Sequence, residues 1–112
     1  MLELEVQRLE ASVAREREEL QRAILRAQES RSLLDNPVLE EWFRDMEAQC
    51  VSEIDVNGLT DPKLREHCVL LIVLLKKLRK SLEYYIEEGE VSKARLDELL
   101  EVKTKRLGGL FG

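Results

Sequence analysis

Apolar residues in this chain recur on a 4-3 alternation at both ends. Leu2, Val6, Leu9, Val13, Leu20, Ala27 and Leu34 share one register, and Leu64, Cys68, Leu71, Leu75, Leu78, Leu82, Tyr85, Leu96 and Leu99 share another. This spacing keeps side chains on one seam of an α-helix, and such a seam has to be buried against another helix. It predicts a first helix over 2–34. Continuing the register places Glu16, Ala23 and Ser30 among the apolar residues, while Ile24 and Leu25 widen the face in the second half. A helix of that length spans about 50 Å, and so thin a stripe does not hold it without a partner. Two readings stand side by side. The helix is one arm of an intramolecular hairpin, or Leu2, Val6, Leu9, Val13 and Leu20 form an oligomerisation surface.

Asp35-Asn36-Pro37 interrupts the pattern, with Asn36 suited to cap a helix and Pro37 to begin one. A second helix is predicted over 37–54, with Leu39, Trp42, Phe43, Met46, Cys50 and Ile54 on its apolar face. The only Trp and one of the two Phe fall here, so Leu39, Trp42, Phe43 and Met46 are expected in the core. Asn57-Gly58 marks a turn, and Asp61-Pro62 repeats the cap-then-proline start. A third helix is predicted over 62–106. Leu71, Leu75 and Leu78 are its expected core residues, and Val69, Ile72, Val73 and Leu74 predict a broad buried face. Gly89 is either a C-cap or an interior residue. The seam stays in phase across it to Leu96 and Leu99, which favours a continuous, bent helix. Residues 107–112 read as a flexible tail. Its Leu110 and Phe111 are either a docking peptide or a frayed end. The expected fold is all-α: a long coiled-coil-like helical hairpin with a short intervening helix, oligomeric.

Composition agrees with that fold class. The 112 residues are 37% charged, 44% hydrophobic and only 4% aromatic, which is the make-up of long helices and coiled coils. A net charge of −5 argues against a surface devoted to nucleic acid, although it leaves room for a local basic stripe. The most apolar run, residues 68–75, is far shorter than a bilayer span, and Met1 leads straight into a charged heptad pattern. No membrane association is expected, and the expected setting is a reducing cytoplasm. Cys50 and Cys68 then read as small buried hydrophobes in preference to a disulfide.

Candidate chemistry is sparse. One histidine, His67, and two cysteines without a CxxC or HxxxH pair make a poor metal site. His67 and Cys68 are helical neighbours whose side chains diverge by about 100°, so they do not form a nucleophile–base pair. No glycine-rich phosphate loop is present. No catalytic residue and no cofactor are expected. The basic residues form two clusters. Lys76, Lys77, Arg79 and Lys80 suit either non-specific DNA contact or a solvated face balanced by Glu83, Glu87 and Glu88. Lys103, Lys105 and Arg106, followed by Leu110 and Phe111, combine charge with an apolar anchor and form the candidate partner-binding segment.

The segment Leu33-Leu34-Asp35-Asn36-Pro37-Val38-Leu39-Glu40-Glu41-Trp42-Phe43 resembles small helical proteins of tailed bacteriophages. So do the Asp-Pro start, Leu64-Arg65-Glu66, the Leu-rich helix, the glycine and the short charged end that follow. The resemblance covers residues 33–98 and is nearest to the small terminase subunit. It implies a ring-forming adaptor that hands DNA to a large terminase subunit through its C-terminal segment, inside an infected host's cytoplasm. Many small terminases open on a helix-turn-helix domain. This chain opens on a heptad helix instead, so the resemblance does not carry sequence-specific DNA recognition with it. The alternative is a small coiled-coil binding module or a phage-encoded inhibitor of a host protein.

Overall fold

Two proline-marked starts divide the chain into three helices: α1 over Leu2–Leu34, α2 over Pro37–Asn57 and α3 over Pro62–Phe111. The computed structural model describes residues 2–57 and 61–111, with side chains for 2–56 and 61–102. The expected tail at 107–112, and the binding residues Lys103, Lys105, Arg106, Leu110 and Phe111, have side chains outside the described residues. There is no strand among the described residues, and the all-α hairpin architecture is as expected.

The breaks are made by side-chain caps. The Asn36 carboxamide oxygen accepts from the backbone N–H of Val38 at 2.9 Å and of Leu39 at 3.3 Å. Asp61 does the same for Leu64 at 3.1 Å. Each cap satisfies N–H groups that the first turn of a helix leaves without an intrahelical partner. At its other end α2 runs three residues beyond the expected stop at Ile54, to Asn57. Nothing in Asp55-Val56 breaks a helix, so it continues to the residue before Gly58.

The helices form two compact units. One joins Met1–Glu29 to Tyr85–Gly112, and the other is Ser30–Tyr84. Within the first, Glu16 pairs with Arg95 and Arg26 with Glu88, so α1 and α3 run antiparallel there. α3 passes through Gly89 without interruption. No described glycine has a positive φ, so Gly89 is not a cap. Its role is close approach. A methyl group on Gly89 would overlap the Ala27 side chain and lie 3.3 Å from the Ala23 carbonyl oxygen.

In the second unit the core is Phe43 and Cys50 from α2 with Cys68, Leu75 and Leu82 from α3, and Leu39 and Met46 are half-buried beside them. Three expected core residues lie elsewhere. Trp42 is 48% exposed, Leu78 48% and Leu71 37%. Trp42 and Phe43 are adjacent on one helix and cannot both face inward. Phe43 does, and Trp42 keeps only an edge-to-face contact with it at 5.5 Å between ring centres. The broad buried face expected at Val69, Val73 and Leu74 is also exposed; only Ile72 of that group is half-buried. The start of α3 is apolar on nearly every side, and the second unit covers one side of it.

Candidate functional site

In the first unit the α1 seam is covered over part of its length only. Glu16, Leu20, Ala23 and Ala27 are half-buried, and opposite them Gly89 and Ser92 of α3 are buried. Two polar clamps fix this stretch. Arg26 bonds Glu88 at 2.8 Å while its guanidinium lies 4.2 Å from the centre of the Tyr85 ring. Arg95 reaches Glu16 at 3.0 Å and Glu98 at 3.2 Å. Glu16, and after it Glu98, raise the pKa of the Arg95 guanidinium above its ordinary value. The acidic residue that interrupts the α1 seam is thereby matched by a base on the facing helix.

Beyond Glu16 the seam opens. Val13 and Val6 are 49% exposed, Leu9 66% and Leu2 79%, although all four stay in the 4-3 register. On the α3 side Leu96 and Leu99 are half-buried, and Leu100 and Val102 are exposed. Val6, Leu9 and Val13 with Leu96, Leu99, Leu100 and Val102 line a groove of about 730 Å³, together with Glu10, Arg17 and Glu18. Of the five expected oligomerisation residues, Leu20 is thus occupied within the chain, while Leu2, Val6, Leu9 and Val13 remain open. Leu100 and Val102 were not legible as groove residues, because they sit just off the α3 seam.

The second unit carries a contrasting surface. Leu70, Leu74 and Leu78 lie along one side of α3, 58%, 60% and 48% exposed. Their spacing of four residues makes a continuous ridge on the helix. Lys77 and Lys80 flank it at helical spacing, Lys76 and Arg79 lie on other faces of the same turns, and no acidic residue occurs between Glu66 and Glu83. Arg79 also lies over the Phe43 ring at 5.4 Å, so one member of this basic cluster helps close the core.

The Cys68 thiol, 2% exposed, meets the Glu53 carboxylate at 3.3 Å. Burial first, then Glu53, pushes its pKa up to about 11, and the buried Cys50 thiol adds to the effect. A thiol held in that form is a poor nucleophile. Both cysteines are free and buried. No group of three or more His, Cys, Asp or Glu is placed to hold a metal ion among the described residues. Among them, too, no helix is long and apolar enough to cross a membrane.

No family model, curated protein or solved structure matches this chain.

Proposed function

We propose that this chain is a non-enzymatic helical adaptor that assembles with copies of itself. The observation that carries the reading is the open α1 seam. Leu2, Val6, Leu9 and Val13 keep the register of the intramolecular helix pair and are still 49–79% exposed. Monomeric proteins rarely leave apolar surface of that continuity uncovered. The ridge of Leu70, Leu74 and Leu78 is a second such surface.

The setting is phage DNA packaging or particle assembly in the host cytoplasm, in the manner of a small terminase subunit. This part rests on the resemblance over residues 33–98. Residues 103–111 then engage a large terminase subunit or another virion protein, and Lys76, Lys77 and Lys80 supply any non-specific DNA contact. Light scattering of the unmutated chain at micromolar concentration tests the assembly. A mass of several chains supports the adaptor reading, and a mass of 13.0 kDa overturns it.

A further inference from the structure

The two uncovered apolar surfaces differ in shape and in charge. The first-unit surface is a groove between two helices. Glu10, Arg17 and Glu18 line it, and its two stretches, residues 6–21 and 96–102, carry seven acids to three bases. The second-unit surface is the ridge of Leu70, Leu74 and Leu78 on a single helix. Lys77 and Lys80 flank it at helical spacing, and its stretch, residues 67–82, carries four Lys or Arg and no acid. Helical ridges pack into grooves of this kind.

We infer that the ridge of one copy seats in the groove of a second copy, so that the assembly interface is heterologous, joining unlike faces. This rests on the self-association proposed above and specifies its geometry. A groove meeting a groove would bring two net acidic stretches together, and a ridge meeting a ridge would bring two basic stretches together. Like charges juxtaposed at an interface are costly, whereas opposite charges steer partners together and fix their register. The groove–ridge pair alone matches apolar surface with opposite charge. Its α1 wall also extends the intramolecular seam, so an incoming helix continues the 4-3 packing already in place. An interface between unlike faces leaves each added copy with one face free, and this generates a ring or a filament rather than a closed pair.

Two variants test the arrangement. Leu9→Asp with Val13→Asp spoils the groove, and Leu74→Asp with Leu78→Asp spoils the ridge. All four side chains are exposed in the single chain, so helicity should be unchanged by circular dichroism. Each double variant alone should be monomeric at concentrations where the unmutated chain assembles. Mixed in equal amounts, they should form a one-to-one pair of twice the 13.0 kDa chain mass and nothing larger, since one intact groove and one intact ridge remain between them. Raising the salt from 0.05 M to 0.5 M should weaken that pair. If the ridge variant still assembles by itself, the groove pairs with its own kind and the inference is wrong. It is equally wrong if the mixture stays monomeric or if both variants assemble unaided. A monomeric unmutated chain would instead overturn the self-association reading itself.

Discussion

A glycine inside an α-helix costs about 1 kcal/mol relative to alanine. At Gly89 that cost is offset, because Ala27 occupies the space a side chain would need. Gly89→Ala should therefore lower the melting temperature despite its better helix propensity. Overpacking of this kind costs about 1–3 kcal/mol, and Gly89→Leu should lose more than Gly89→Ala in a denaturant titration. Cys68 makes a second residue-scale case. Its thiol pKa lies at about 11 in the folded chain, above the ordinary cysteine value of about 8.5. The proton is thus held more tightly in the folded state than in the unfolded one. The resulting stability is fully present below the ordinary value and is lost as pH rises through about 11. Melting temperatures should be level between pH 7 and 8 on account of this group and fall above pH 9. Cys68→Ala should show a shallower fall. Sequence spacing indicated that Gly89 lies in phase with the seam. That it touches Ala27 depends on the lateral alignment of α1 with α3, which no local pattern encodes.

At the scale of the element, caps were the most legible feature and helix faces the least. Asn36 and Asp61 act as N-caps because a short side-chain oxygen followed by proline has few other uses at a helix start. Asn36→Ala and Asp61→Ala should each destabilise the chain by about 1 kcal/mol in chemical denaturation. The face of α3 was harder to read. Between Cys68 and Leu75 every residue is apolar, so periodicity does not say which of them turn inward. Leu71 and Leu78 sit on the 4-3 seam and are nonetheless exposed, while Leu82 on the same seam is buried. The seam marks surface that wants a helix against it, and the single chain supplies helices for only part of it. Trp42 follows the same logic: the sequence showed an aromatic pair, and the choice of Phe43 as the inward member is made by packing.

For the molecule as a whole, the all-α architecture was written in composition and register, whereas the division into two units was not. That division follows from which residues meet. The Cys68–Glu53 contact joins positions 15 apart in the chain. The Arg26–Glu88 and Arg95–Glu16 pairs join positions 62 and 79 apart. Closing a longer loop sacrifices more chain entropy before any contact repays it, and it slows folding. The second unit, a contiguous stretch, should therefore form early and serve as the platform on which the chain's distant segments later zip together. The same asymmetry should govern breathing of the native state. Amide hydrogens along 9–29 and 89–102 should exchange before those of 43–54 and 68–82 in a native-state exchange experiment. Uniform exchange across both stretches would show a single cooperative body instead. With the expected order, the end bearing the open groove is the last part of the chain to become ordered. Partner copies would then meet a surface completed only after the ridge that fills it, and premature association of half-folded chains is held back by the order of folding itself.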